Sequence, residues 1–217
     1  MNILLVRHGE TPWNREGRYQ GRTDIPLSSD GEAQVARLGT RLAHLEVAAA
    51  IASPLSRART TAEAILAARP RAPALELDEG LLEISHGEWE GHLAEDIAKT
   101  DPAMFERWRT APARDTKAGP GAESLGDVLD RAWPVLERLV AKLGPTDTGL
   151  IAAHDAVNRA LLCRILGLPF ERVWSFRQSP ATLNVLSGPS LAELAVVRLN
   201  DSEHVAPLLR EAQHKAL

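Results

Sequence analysis

Four consecutive branched aliphatics, Ile3-Leu4-Leu5-Val6, lead directly into Arg7-His8-Gly9-Glu10-Thr11. A short apolar run bounded by a Gly-containing polar cluster predicts a strand buried on both faces, as in a parallel sheet. Its carboxyl end, where open α/β sheets build their sites, carries the polar groups. Gly17, Gly21 and Pro26 then mark residues 13–26 as a long loop over that end. Ser28-Ser29-Asp30 offers N-caps for a helix to about Leu45, with Val35, Leu38, Leu42 and Leu45 on one face. Residues 49–52 predict a second strand, 56–68 a second helix and 75–77 a brief third strand, followed by loop over 81–91. Helical spacing returns over 92–109, and Pro112, Gly119, Pro120 and Gly121 make 110–123 a flexible loop. Ser124 caps a helix running to about Leu143 despite Pro134. A fourth strand over 149–153 ends in His154-Asp155, a helix covers 156–166, and late strands at 182–186 and 192–199 join through Gly188-Pro189. Alternating strands and helices predict an α/β fold, a three-layer α/β/α sandwich with a mostly parallel central sheet.

The 217 residues suffice for one large core, so a single domain over 1–217 is expected, with a lid or insert at roughly 81–123. Hydrophobic residues at 44% and charged residues at 25% fit a globular chain. A net charge of −4 leaves no general basic field, so neither nucleic acid nor an anionic membrane is an expected partner. Any anion site must be local. Cys163, the one cysteine, lies in an apolar run and reads as core; it excludes a disulfide framework and a multi-cysteine metal site. There is no signal-like amino terminus and no bilayer-length apolar run, and the expectation is a cytoplasmic protein.

Chemistry-bearing residues stand at the predicted strand ends. Arg7 and His8 follow the first, Arg57 the second, Glu83 the third and His154 the fourth. Strand ends of a parallel sheet converge on one edge. Two guanidiniums, two imidazoles and a carboxyl would suit a phosphate monoester: donors for its oxygens, a nucleophile and an acid for the leaving oxygen. Arg offers a bidentate fork to phosphate, and the helix starting near Ser56 would add N–H groups from its positive end. Each residue also has an ordinary reading. Arg7 fits a strand end, Arg57 a solvated helix, Glu83 an ion pair and either histidine a structural role. Their joint placement separates the two readings.

Longer stretches carry a resemblance. Leu5-Val6-Arg7-His8-Gly9-Glu10-Thr11 with Trp13-Asn14, then Gln20-Gly21-Arg22-Thr23-Asp24 and Pro26-Leu27-Ser28, resembles the opening block of the histidine phosphatase superfamily, branch 1, the phosphoglycerate mutase-like group. Ser53 to Glu63 is similar to its second block, Leu82-Glu83-Ile84 with Gly87 to Gly91 to its third, and Ala153-His154 to its fourth. The resemblance implies the phosphoglycerate mutase-like fold and a metal-independent, cofactor-free, two-step transfer. His8 would attack phosphorus through Nε2 to form phosphohistidine. Arg7, Arg57 and a protonated His154 would hold the oxygens. Glu83 would protonate the leaving group, then activate water. Asn14, Gln20 and Gly21 match substrate-binding positions, although Asn14 and Gly21 are also ordinary loop residues.

Asp155 stands where the family usually has Gly. It can cap the following helix, and a carboxylate there would raise the pKa of His154. The implied function is hydrolysis of a small phosphorylated metabolite. The mutase branch carries a Tyr after the glutamate and an adjacent Arg pair, whereas here His86 stands near the Tyr position and no two arginines adjoin. Phosphoglycerate mutase activity is the alternative, and a non-catalytic phospho-ligand binder a more distant one. Phosphoglycerate-type esters, sugar phosphates, phosphoserine and α-ribazole phosphate are the substrates the resemblance suggests. Trp89 and Trp108 serve either stacking on substrate or packing. Val205, Leu208 and Leu209 could cap the monomer or join a homodimer.

Overall fold

The computed structural model describes residues 1–205. Leu208 and Leu209 lie outside them. A six-stranded sheet forms the middle layer, in the order β3 (Leu75–Leu77), β2 (Ala49–Ala52), β4 (Thr148–Ala153), β1 (Asn2–Arg7), β5 (Leu183–Ser187), β6 (Ala195–Asp201). β1 is central and buried on both faces, which is what an uninterrupted aliphatic run requires. Leu4 and Val6 pack with α2 (Ser29–Leu42) and α3 (Ser56–Ala67), whereas Ile3 and Leu5 join the core under α6 (Leu125–Ala141) and α7 (Asp155–Leu166). This period-2 partition creates the expected three layers. Cys163 is buried in the second core.

The sheet is mixed rather than mostly parallel. β3, β2, β4 and β1 pair in parallel, while β5 runs antiparallel to β1 and β6 antiparallel to β5. The segment joining β5 to β6 is too short for a crossover, which needs a dozen or more residues. The expected loop over 13–26 also opens with a helix, α1 (Pro12–Glu16). Thr11 and Asn14 form a reciprocal capping box, Pro12 occupies the first turn, and Gly17 ends the helix in the left-handed region at φ 78°. Helical spacing over 92–109 resolves into α4 (Ala94–Thr100) and α5 (Pro102–Thr110), broken where Pro102 cannot extend the preceding helix. Trp89 and Trp108 are buried in the core rather than presented to ligand. Ser124 caps α6 through a second capping box, with Asp127.

Candidate active site

Register brings the two histidines together. Arg7 pairs with Ala153 across β1 and β4, and His8 N–H donates to the Ala153 carbonyl at 3.1 Å. The residues that follow each strand therefore leave the sheet side by side, and the His8 and His154 rings meet edge-on with centroids 5.2 Å apart. His8 Nδ1 lies 2.7 Å from the Gly9 carbonyl, which can only accept. Whenever the ring is neutral, it therefore carries its hydrogen on Nδ1 and its lone pair on Nε2, the state a nucleophile needs.

Around His8 lies a cavity of about 360 Å³, its open mouth included, lined by the predicted Arg7, Asn14, Gln20, Gly21, Arg57 and Glu83. Arg18, Tyr19, His86 and Asp155 complete the lining. His154 is fully buried and touches the site through His8 rather than lining the cavity.

Arg57, in the first turn of α3, donates to the Thr23 carbonyl at 2.9 Å and the Gly21 carbonyl at 2.8 Å, tying the 20–24 loop to the site. Gly21 has φ 52°, and a Cβ there would stand 2.0 Å from Glu90 Oε1, so glycine is required. Asn14 Oδ1 accepts from Thr11 N–H at 3.1 Å, and the Thr11 hydroxyl lies 2.9 Å from Gln20 Oε1. Asn14 is therefore both a capping residue and a cavity residue.

Glu83 Oε1 accepts from Ile84 N–H at 2.9 Å and Oε2 from Asp155 N–H at 3.1 Å. Those bonds, with Arg57 and Arg7, favour the carboxylate. Burial, joined by the Asp155 charge, outweighs them and pushes the pKa up to about 7. Arg131 of α6 holds the Glu83 loop from behind through the carbonyls of Gly80 at 2.9 Å, Leu82 at 2.6 Å and Glu83 at 3.1 Å. Sequence reasoning missed this clamp because an arginine in an amphipathic helix reads as a solvated face.

Two expectations are corrected. His154 is not raised by Asp155. Burial, then Arg57, His8, Arg131 and Arg7, drives its pKa well below the ordinary histidine value and holds the ring neutral. Asp155 is taken up elsewhere, with Oδ1 on Arg7 at 3.0 Å and Oδ2 on Arg159 at 2.7 Å. Neither does the start of α3 offer its first N–H to the cavity, because Ser56 N–H donates to Asp24 Oδ1 at 2.8 Å. Ser53, unassigned in the sequence, places its hydroxyl 2.8 Å from His154 Nε2.

Three buried nitrogens in this cluster lack any hydrogen-bond partner among the described residues: Arg7 Nε, Arg57 Nε and His154 Nδ1. Burying a polar group unpaired costs about 1–3 kcal/mol. Three such groups around one imidazole are what an oxyanion would satisfy. His86 lies at the cavity wall with Nδ1 on the Ala118 carbonyl at 2.8 Å and, by burial, a pKa near 4. It is neutral near pH 7. Tyr19, 4.5 Å from it ring to ring, has a phenol pushed up to about 12 by burial.

Known proteins resemble this chain in sequence and in fold. The phosphoserine phosphatase 1 of Hydrogenobacter thermophilus is 33% identical over the full length of both chains. The "probable phosphoglycerate mutase GpmB" of Salmonella choleraesuis is 33% identical over 82% of this chain and 79% of its own. Among solved structures, Bacillus stearothermophilus YhfR superposes with a TM-score of 0.85 at 32% identity, covering 94% of this chain and 99% of that one. A mycobacterial glucosyl-3-phosphoglycerate phosphatase in complex with VO3 gives 0.83 at 26% identity, covering 93% and 99%. The family model for the histidine phosphatase superfamily (branch 1) matches residues 3–202, and the chain belongs to that family.

Proposed function

We propose that this enzyme hydrolyses phosphate monoesters of small metabolites through a phosphohistidine on His8, without a metal. The observation that carries the reading is the set of three buried nitrogens, on Arg7, Arg57 and His154, left without an acceptor among the described residues around the ring of His8. In the first step the His8 Nε2 lone pair forms the P–N bond. The P–O bond to the leaving group breaks, and the Glu83 carboxyl gives its proton to the departing oxygen. In the second, the Glu83 carboxylate takes a proton from water. The water oxygen attacks phosphorus, and the P–N bond breaks to return His8. The Glu83 pKa of about 7 suits a group that gives and then takes a proton near neutrality.

Arg7 and Arg57 supply fixed positive charge to the phosphoryl oxygens. His154 contributes a neutral ring: with the Ser53 hydroxyl donating to Nε2, its hydrogen sits on Nδ1 and points a donor at the anion. Asn14, Gln20 and Gly21 complete the wall. Residues 81–123 form the lid that selects the leaving group, and His86 takes the place of the mutase tyrosine. Full-length similarity to a protein named phosphoserine phosphatase supports phosphoserine as the first substrate to test, with phosphoglycerate-type esters next. The composition and single cysteine support a cytoplasmic location.

A hydrolysis screen over phosphoserine, phosphoglycerates, sugar phosphates and α-ribazole phosphate, with and without EDTA and with phosphoglycerate isomerisation followed in parallel, tests this. EDTA-resistant phosphate release with negligible isomerisation is expected. Predominant isomerisation would favour the mutase reading, and saturable binding without turnover a binder. Light scattering on the same preparation gives the oligomeric state and so tests the homodimer.

A further inference from the structure

We propose that Asp155 is a positioning residue with two linked tasks: it orients the Arg7 guanidinium and it keeps a proton on Glu83. The inference rests on Glu83 acting as the acid, as argued above. Asp155 is the first residue of α7 and is 1% exposed, yet its carboxylate does not cap the helix. Both oxygens are spent on buried cations, Oδ1 on Arg7 Nη1 at 3.0 Å and Oδ2 on Arg159 Nε at 2.7 Å. Its backbone N–H donates to Glu83 Oε2 at 3.1 Å, a bond that by itself favours the carboxylate but that holds the Asp155 charge beside the acid. One residue therefore touches both the anion-binding arginine and the acid, and it lines the same cavity.

Arg159 holds the far side of this arrangement. It donates to the Val173 carbonyl at 2.8 Å and to the Phe176 carbonyl, and its guanidinium lies 4.9 Å from the Trp174 ring centroid and 5.4 Å from that of Phe176. Arg7 is steadied on its other side by the Gln178 carbonyl. With Nη1 fixed by Asp155 and Gln178, Arg7 can present its unpartnered Nε without searching rotamers.

Several charged or titratable groups surround Glu83: Arg7 from β1, Arg57 from α3, Arg131 from α6, the cavity rings of His8 and His86, and Asp155. Asp155 is the one anion among the causes acting on Glu83, and it opposes Arg57 and Arg7. Without it, burial alone would oppose the arginines that bind phosphate, and the acid would ionise at lower pH. Arg159 tempers that anion by pairing with its second oxygen.

Two variants move the acid in opposite directions. Asp155→Asn keeps the shape and removes the charge, so the alkaline limb of kcat against pH for alkyl phosphates moves down by about one pH unit. Phosphate inhibition weakens about tenfold as Arg7 loses its ion pair. Arg159→Gln leaves the Asp155 charge less neutralised, so the same limb moves up. General loosening of the fold would not produce opposite shifts. Should Asp155→Asn fail to fold, a 13C carboxyl titration of Glu83, assigned by its loss in Glu83→Gln, reads the wild-type and Arg159→Gln values without turnover. An unmoved Glu83 titration in Arg159→Gln, or limbs that shift together in the two variants, overturns the proposal. If Glu83→Gln fails to discriminate leaving groups, the acid assignment itself falls, and the carboxyl titration still reports separately on Asp155.

Discussion

Glu83→Gln exposes the energetic cost of keeping an acid at this site. The carboxyl rises from 4.5 to about 7 in the fold. That difference corresponds to about 3 kcal/mol between its two protonation states. The sign follows from linkage: between pH 4.5 and 7 the native state binds more protons than the unfolded chain, so stability is lost as pH rises through that window and stays lost above it. Glutamine cannot ionise. It gives up part of one hydrogen bond, to Ile84 or Asp155, at a pH-independent cost of about 1 kcal/mol. Urea unfolding of the two proteins should therefore show the variant equal to or slightly below wild type at pH 5, and more stable by about 2 kcal/mol at pH 8. Activity should move the other way. At pH 7 about half of the wild-type molecules carry the proton, against about one in 300 for a glutamate left at 4.5. The variant should slow alkyl phosphates by about 10²- to 10³-fold and p-nitrophenyl phosphate, whose leaving group needs little protonation, by less than about tenfold. A stability difference that stays flat with pH would mean that Glu83 is not a buried acid. Equal losses on both esters would mean that it does not protonate the leaving oxygen.

Other perturbations test the surrounding parts. Arg57→Lys removes a fork that spans the Gly21 and Thr23 carbonyls, and kcat/KM should fall by about 10²-fold, read by steady-state kinetics; a loss under threefold would argue that Arg57 only ties down the loop. Ser53→Ala leaves His154 Nε2 without its partner. Substrate KM should rise about tenfold, and a 15N shift should report a change of tautomer; an unchanged tautomer would remove Ser53 from the account. Trp108→Ala, at a fully buried side chain of α5, should cost about 3–5 kcal/mol in urea unfolding, and a cost below about 1 kcal/mol would contradict the packing described.

Much of this is legible in the sequence, because the strand ends and the candidate site residues coincide. The run Ile3 to Val6 announced a doubly buried strand, and alternation of strands and helices carried Arg7, His8, Arg57, Glu83 and His154 to one edge. Local chemistry set the caps at Ser28 and Ser124 in the same way. What stayed hidden depends on partners distant in sequence. The direction of β5 is set by how the chain returns after α7, which no periodicity encodes. The short helix at Pro12 rests on a reciprocal bond between Thr11 and Asn14 inside a polar, Gly-rich stretch that reads as loop. Adjacency in sequence suggests His154 as the partner of Asp155, whereas the helix turns its carboxylate toward Arg7 and Arg159. Phosphate favours a cation at His154; full burial beside three arginines decides otherwise.

Trapping of the covalent intermediate bears most directly on the central claim. Enzyme mixed with 32P-labelled phosphoserine, or with the best ester from the screen, is quenched in alkali within the first turnover and digested for peptide mapping. The label should reside on the peptide containing His8, survive base, be released by acid, disappear on a chase with unlabelled ester and be absent from His8→Ala. Full turnover with no bound label, or label on any other residue, would contradict the account.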